Sequence, residues 1–339
     1  MRLIKTEDAV GHVLCHDMTQ IIKDQYKDAR FRKGHVVTEE DIPVLLSMGK
    51  EHLYVWEMTS GMVHENDAAE RLLALCGQEN MIRSGVKEGK IELKAACDGV
   101  FLVDSARLVA VNSQDEVMIA TRKGGMAVRE GDKLAGMRVI PLIIEEEKLR
   151  KAEQAAGDEP LLSLKPYVRK TACIVATGGE VKKGLIKDTF TPVVIDKLKT
   201  YGIETLEVVY SGDGVENVRD AVLTMREKKP DMILCTGGMS VDPDDNTPGG
   251  IKAAGANIIA YGAPVLPGAM FLLGYFDDGM PVMGLPGCVM YAGATVFDLV
   301  LPKIAADVPV TRADLAALGE GGLCLGCKPC HYPICLFGK

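Results

Sequence analysis

In one turn of this 339-residue chain, three aspartates follow a pair of glycines, and these residue types together could bind a ligand. Asp242, Asp244 and Asp245 come after Gly237 and Gly238. A glycine has no Cβ, so its amide can approach an anion closely, and the helix predicted to follow adds the positive end of its dipole. A hard cation such as Mg²⁺, held by carboxylates and a substrate phosphate, reconciles the acids with that anion. The turn therefore predicts a magnesium-phosphate site. The plainer alternative is that the acids only cap a helix and solvate the turn.

A strand and a helix must position this turn. An apolar run at 232–235 precedes it and a helix-compatible segment at 249–256 follows it. Similar apolar runs alternate with helical patterns nearby, and we expect strands at 172–177, 203–210, 257–261, 270–276 and 281–285. Such alternation is typical of a mostly parallel sheet with helices on both faces. The predicted fold class is α/β, a three-layer α/β/α domain, with the loops after 172–177, 232–235 and 281–285 at one ligand-binding edge.

The first 150 residues carry a different pattern. The N-terminal residues predict short strands and one helix capped by Thr38, and the following region predicts short strands at 99–103, 108–111 and 117–120, as in a small barrel or sandwich. A charged helical connector is expected at 145–157. We therefore expect four regions: an N-terminal α+β region (1–60), a β-rich middle domain (61–150), the α/β domain (165–310) and a cysteine-rich tail (320–339).

Composition bounds the class of protein. Hydrophobic residues make up 47% of the chain and charged residues 25%, as in soluble globular proteins. No apolar run approaches the roughly 20 residues that span a bilayer, and acids near the N-terminus disfavour a signal peptide. We expect a cytoplasmic protein without a membrane partner. The net charge of -8 disfavours nonspecific binding to a nucleic-acid backbone.

Four of the ten cysteines lie in the last sixteen residues. Cys324, Cys327, Cys330 and Cys335 place four soft ligands at tight spacing, which suits Zn²⁺ or an iron-sulfur cluster. His331 is a possible substitute for one thiolate, and the spacing does not choose the metal. The alternative is a frayed tail with free thiols.

Several motifs occur in a recognisable order: 176–180, 184–189, 236–240 with Asp245 and 247–248, and 284–287. In this order they resemble the molybdopterin-binding domain superfamily, which includes molybdopterin molybdenumtransferases, molybdopterin adenylyltransferases and gephyrin. The segment 32–49 also resembles part of the molybdenumtransferase N-terminal region. A single glycine-rich loop is a weak signal, but several in register are stronger.

The resemblance implies a ligand, molybdopterin or adenylated molybdopterin, held with Mg²⁺ at the predicted edge. It implies that Asp245 and Asp242 are catalytic and that Asp245 also holds the metal. The implied ligand-binding residues are Thr177, Gly178, Glu180, Asp188, Thr236, Gly237, Gly238, Ser240, Thr247, Pro286 and Gly287. The implied function lies in molybdenum cofactor biosynthesis, as Mg²⁺-dependent insertion of molybdate with release of AMP. Relatives in this superfamily commonly form homodimers.

The chain departs from the molybdenumtransferase pattern in places. Gly179 stands where an Asp is usual, and 266–270 reads Leu-Pro-Gly-Ala-Met where a lysine is usual. Since a tetrahedral oxyanion needs positive donors, the missing lysine puts molybdate insertion in question. Cys288 stands where an Asn is usual; near a helix N-terminus it is expected either to have a lowered pKa or to be inert packing. The alternative functions are a non-catalytic molybdopterin sensor or carrier, and a competence-damage-type nucleotide pyrophosphatase.

Overall fold

The computed structural model describes residues 2–22, 26–55, 61–182, 185, 187–240 and 246–339. Asp242, Asp244 and Asp245 lie outside the described residues, as do 184 and 186 of one motif. The chain divides into two compact units. The N-terminal unit comprises Met1–Ala96, Val103–Gly124 and Gly131–Ser163, and the C-terminal unit comprises Cys97–Leu102, Gly125–Glu130 and Leu164–Lys339.

The first part of the chain contains, in order, β1 (Arg2–Lys5), β2 (Met18–Ile22), β3 (Tyr26–Phe31), α1 (Asp41–Ser47), β4 (His52–Val55), β5 (Met62–His64), α2 (Glu65–Leu75), β6 (Met81–Arg83), β7 (Ile91–Ala95), β8 (Gly99–Val103), α3 (Ser105–Asn112), β9 (Val117–Thr121), β10 (Met126–Val128), β11 (Lys133–Val139), β12 (Ile143–Glu145) and α4 (Glu146–Ala156). The second part contains β13 (Leu162–Pro166), β14 (Thr171–Thr177), α5 (Gly179–Lys182), α6 (Phe190–Lys199), β15 (Glu204–Ser211), α7 (Val215–Glu227), β16 (Met232–Thr236), α8 (Thr247–Ala253), β17 (Asn257–Tyr261), β18 (Leu272–Tyr275), β19 (Pro281–Leu285), α9 (Val296–Ala305) and α10 (Arg312–Ala317).

The N-terminal unit is built from antiparallel strand pairs. β1 pairs with β4, β2 pairs with β3, and a sheet has the order β6-β7-β11-β9. Leu14, Leu45, Leu53 and Val55 are buried in one apolar cluster under the first two pairs. This mixture of strands and helices agrees with the predicted α+β and β-rich character of the first half.

Two local predictions for the N-terminal unit have different outcomes. The strand predicted at 108–111 is wrong, because these residues lie in α3. Asp104 accepts a hydrogen bond from the Arg107 amide at 3.0 Å and so caps that helix, which an apolar run alone does not reveal. The helix predicted at 145–157 is confirmed as α4, but it packs within the N-terminal unit, with Leu149 and Ala152 fully buried.

The C-terminal unit is built around one mixed sheet with the order β15-β14-β16-β19-β18-β17. The pairs among β15, β14, β16 and β19 are parallel, whereas β18 and β17 join in antiparallel fashion. Strands buried on both faces read as continuous apolar runs, as β14, β16 and β19 do.

Alternate residues of β14 enter different cores. Ala172 and Ile174 pack with Val194 of α6 and with α9, whereas Cys173 and Val175 pack with α7 and α8. Since side chains of a strand alternate between its faces, these two clusters are the two covered faces of the sheet. The predicted three-layer α/β/α class is confirmed.

The tail after α10 packs on the C-terminal unit. Leu323 forms a bridge with Leu266, and the Cys324 amide donates to the Leu266 carbonyl at 2.8 Å. The Tyr332 hydroxyl donates to the Asp298 carbonyl at 2.9 Å, and Phe337 is buried. Of the alternative, a frayed tail with free thiols, the fraying is wrong because the segment packs at both ends, whereas the thiols are free.

Over the ranges that the structure describes, we find no helix with both the length and the apolar composition needed to cross a bilayer.

Candidate functional site

The parallel strands of the C-terminal unit end side by side. Ala176 pairs with Thr236, and Thr236 pairs with Leu285. The loops after β14, β16 and β19 therefore begin at one edge of the sheet, as the sequence predicts. We call this the carboxyl edge, which is where open α/β sheets bind ligands.

Threonine hydroxyl groups join two of these loops. Thr177 Oγ1 donates to the Thr236 carbonyl at 2.9 Å, Thr247 Oγ1 donates to the Gly237 carbonyl at 2.9 Å, and the two hydroxyl oxygens are 3.2 Å apart. The Thr247 amide also donates to the Gly238 carbonyl at 3.1 Å. Thr247 is 1% exposed, so water does not replace these bonds. The start of the acidic turn is thus fixed to the first residue of α8.

Glycine is required at both positions of the Gly-Gly pair. Gly237 has φ +82°, and a Cβ there would lie 2.5 Å from the Thr177 carbonyl oxygen. Gly238 has φ +57°, and a Cβ there would lie 2.6 Å from Thr247 Oγ1. Both conformations are left-handed, and both positions lack room for a side chain. The two glycines therefore let this loop pack directly against Thr177 and Thr247.

Met239 anchors the same loop by packing against β19. Its side chain is 4% exposed, and a Cβ on Gly284 of β19 would lie 2.6 Å from its thioether atoms. The Tyr261 hydroxyl donates to the Met239 carbonyl at 2.9 Å. Sequence reasoning missed both residues. A glycine inside an otherwise apolar strand was the available signal, since it marks a close approach.

Asp188 lies beside the start of α6. Its Oδ1 accepts hydrogen bonds from the amides of Phe190 (2.9 Å) and Thr191 (3.0 Å), so Asp188 is the residue that caps this helix. By residue type Thr191 and Pro192 suit an N-cap and a first helical residue, but the helix begins at Phe190. Part of the role implied for Asp188 is therefore structural.

The second oxygen of Asp188 is enclosed by the protein. Oδ2 is buried and makes no hydrogen bond of good geometry in the described part of the chain. Burial raises the pKa of Asp188, but hydrogen bonds from Thr191 and Phe190 and the nearby Tyr210 hydroxyl outweigh it and hold the pKa below its ordinary value. The group is thus an ionised carboxylate, and a buried polar atom without a partner is a place where a ligand or ion fits.

The segment before α6 reaches the loop after β19. Thr189 Oγ1 donates to Met290 Sδ at 3.0 Å. Met290 ends a short 3₁₀ helix, Gly287–Met290, which Pro286 precedes. Asp188, Pro286 and Gly287 therefore belong to connected segments.

Asp213 is an acid at this edge that sequence reasoning missed. The Gly179 amide, at the start of α5, donates to its carboxylate at 3.1 Å, and a Cβ on Gly179 would lie 2.6 Å from Asp213 Oδ2. Gly178, just before, has φ +137°. The Glu180 backbone lies in α5, but its side chain is outside the described residues, and Ser240 is the last described residue before the acidic triplet.

Cys288 does not have the lowered pKa that its position suggests. Burial raises the pKa of its thiol, and the charge of Asp298 raises it further. The alternative of inert packing agrees with this environment.

The four tail cysteines all lie in the described part of the chain and have free thiols. Cys327 and Cys330 are exposed, and a Cβ on Gly293 would lie 2.8 Å from Cys330 Sγ. Among the described residues there is no group of three or more His, Cys, Asp or Glu side chains placed to hold a metal ion. The thiols as placed do not fit a metal centre, so the predicted zinc or iron-sulfur site is not shown.

Comparison with known families bears on this edge directly. Residues 173–306 match the model of a probable molybdopterin binding domain. The resemblance to the molybdopterin-binding domain superfamily is confirmed for this segment. Residues 3–57 match a domain of unknown function. The first match covers β14 to α9 and includes every described residue implied as a ligand contact.

Individual relatives are similar only locally. A CinA-like protein of Mycobacterium tuberculosis (strain ATCC 25177 / H37Ra) is 32% identical over 80 residues, 24% of this chain and 19% of that protein. This chain thus spans about a fifth of that relative's length. Among solved structures, CinA of Thermoplasma acidophilum is 18% identical over 40% of this chain and 98% of its own, with TM-score 0.35. The Mog protein of Mycobacterium ulcerans is 20% identical over 41% of this chain and 99% of its own, with TM-score 0.35.

Proposed function

We propose that the C-terminal unit binds molybdopterin or adenylated molybdopterin at its carboxyl edge. The observation that carries this proposal is the Gly237-Gly238 backbone, which the Thr177 and Thr247 hydroxyl groups fix in place and which has no room for a side chain. Such a loop offers backbone amides to a phosphate or pterin. The family match of residues 173–306 supports the choice of ligand.

The finer proposal is a step of molybdenum cofactor biosynthesis, in which molybdate enters adenylated molybdopterin and AMP is released. Asp245 would hold Mg²⁺ together with a substrate phosphate, and Asp242 would be the second catalytic acid. When bound, Mg²⁺ supplies charge neutralisation at the phosphoanhydride. In the described part of the site, Asp188 is an ionised carboxylate, as this arrangement requires.

A second candidate, a pterin carrier or sensor without turnover, is favoured by one observation. The segment where molybdenumtransferases carry a lysine is apolar here, and a Cβ on Gly268 would lie 2.6 Å from Val296 Cγ1. This tight packing leaves no cation at that point of the loop to hold molybdate. A competence-damage-type nucleotide pyrophosphatase is a third candidate, supported by the local identity to CinA-like proteins.

One incubation separates these functions. The purified chain is mixed with adenylated molybdopterin, Mg²⁺ and molybdate, and both retained pterin and released AMP are measured. Molybdate-dependent AMP release supports the transferase, whereas retention without release supports the carrier. Hydrolysis of ADP-ribose instead supports the pyrophosphatase.

The matched variants for this incubation are Asp245→Asn and Asp158→Asn. Asp245 is the proposed catalytic acid, whereas Asp158 is an exposed acid of the N-terminal unit. We expect only Asp245→Asn to abolish AMP release. Equal release by both variants would exclude Asp245 from catalysis.

Two further expectations accompany the proposal. Binding of zinc or an iron-sulfur cluster by Cys324, Cys327, Cys330 and Cys335 would require the thiols to move from the places they have here. Elemental analysis of protein purified without oxygen tests it. A homodimer is expected from the resemblance, and sedimentation analysis tests that.

A further inference from the structure

We propose that the N-terminal unit holds a separate binding site for a small phosphorylated molecule. A cavity of about 800 Å³ opens between β3 and α1. Binding sites for small molecules typically have volumes of about 300–1,000 Å³, so a ligand of nucleotide size fits. The cavity is lined by the segment 29–35 and by Glu40, Asp41 and Val44.

Two arginines supply the charge that selects the ligand. Arg30, the last residue but one of β3, and Arg32, just beyond the strand, flank the buried Phe31, and both line the cavity. Both are exposed, and within the described ranges neither forms an ion pair. Guanidinium groups bind phosphate through paired hydrogen bonds. In a chain of net charge -8, two uncompensated arginines at one cavity favour an anionic ligand.

Asp41, one of the two acids that line the cavity, is already engaged. Asp41 Oδ2 accepts hydrogen bonds from His35 Nε2 at 2.6 Å and from both the amide and the hydroxyl of Thr38 at 2.8 Å. Its charge is thus directed at His35 and Thr38 and away from the arginines. Glu40 is exposed at the rim, where solvent screens its charge.

The same contacts make one wall of the cavity rigid. The His35 ring is held by Asp41 and lies 5.1 Å from the buried Phe31 ring, measured between centroids. Lys33 is fixed as well, since its Nζ lies 3.2 Å from His64 Nδ1 and its amide donates to Asp17 at 2.7 Å. A preformed wall lowers the cost of ordering the site when a ligand binds.

A small molecule fits these observations better than a nucleic acid. Nonspecific nucleic-acid binding depends on many phosphate contacts along an extended basic surface. Here the unpaired positive charge amounts to two arginines at a concave site. All lining residues fall within the segment 3–57, whose family match gives no function, and the proposal does not depend on molybdopterin binding by the C-terminal unit.

Isothermal titration with inorganic phosphate, AMP and adenosine tests the site. We expect AMP to bind more tightly than phosphate and adenosine not to bind at the cavity. The double substitution Arg30→Gln with Arg32→Gln should weaken AMP binding about tenfold or more, since charge-assisted hydrogen bonds are lost. The control Arg2→Gln changes an exposed arginine outside the cavity and should leave the affinity unchanged.

A further variant separates this site from the carboxyl edge. Thr247→Val alters only the C-terminal unit, so binding that it abolishes belongs to that edge and not to the cavity. Circular dichroism checks that each variant is folded. Failure of the wild-type chain to bind AMP or phosphate at millimolar concentration would overturn the proposal. Equal AMP affinity of the double variant and the wild type, or tighter binding of an RNA oligonucleotide than of AMP, would also overturn it.

Discussion

Removing one hydroxyl group at position 247 tests how the acidic turn is held. Thr247→Val keeps the size of the side chain but deletes the donor to the Gly237 carbonyl and the partner of Thr177 Oγ1. A net hydrogen bond contributes about 0.5–1.5 kcal/mol, and a buried group left unsatisfied costs about 1–3 kcal/mol. Because residue 247 is 1% exposed, water does not compensate. We expect a loss of about 2 kcal/mol in the free energy of unfolding.

Ligand binding should weaken as well if the turn forms the pterin site, because in the variant the ligand must order a loop that the wild type holds in place. A difference of about 2 kcal/mol corresponds to roughly 30-fold in affinity when all of it falls on the bound conformation. The assays are urea unfolding followed by circular dichroism, and titration of molybdopterin followed by its fluorescence.

Thr247→Ser is the matched control, because it keeps Oγ and deletes only the methyl group. We expect it to lower stability by about 1 kcal/mol through lost packing while leaving pterin affinity close to that of the wild type. If Val and Ser weaken binding equally, the hydroxyl contacts do not position the site. Wild-type affinity in the Val variant would contradict the argument directly.

Other perturbations test the neighbouring contacts. Asp188→Ala should lower the free energy of unfolding by about 1 kcal/mol, because it removes the cap of α6. The pKa of Asp188 is lowered in the folded chain, so its contribution is present above the unfolded pKa and should vanish as the pH falls through the folded pKa. A constant stability difference between variant and wild type across acid pH, measured by urea unfolding, would refute the cap. Met239→Ala should lower stability by about 2–5 kcal/mol, since it empties the space against β19, and an unchanged thermal midpoint would show that this anchor is unimportant. Exposed Cys327 and Cys330 should react with a maleimide in the native state. Cys235 is buried, which raises its pKa to about 12, so it should react only after unfolding. Detection by mass spectrometry of a label on Cys235 in the native protein would contradict that order.

The α/β half of the chain was predictable because its local signals agree. Each predicted strand from 172–177 to 281–285 corresponds to a strand of the sheet, since runs buried on both faces are continuously apolar and alternate with amphipathic helices. Their shared edge followed from the rule for parallel sheets. Element ends were less predictable, as α6 shows, because Asp188 and Thr191 are both acceptable caps by residue type.

The N-terminal half and the supporting contacts of the site were less predictable. Short apolar runs fit a strand or a helix equally well, which is why 108–111 was assigned wrongly. Asp213, Met239 and Tyr261 reach the carboxyl edge from separate loops and strands. Only the folded chain shows those contacts, because no spacing within one segment encodes them.

Retention of molybdopterin by the purified chain tests the central claim most directly. The wild type and Gly238→Ala are incubated with molybdopterin, passed through a desalting column and assayed for bound pterin. A methyl group at this position would lie 2.6 Å from Thr247 Oγ1, and the backbone there has a left-handed conformation. We predict stoichiometric retention by the wild type and loss of retention by the variant, with both chains folded. The absence of bound pterin in the wild type, or equal retention by the two chains, would contradict the account.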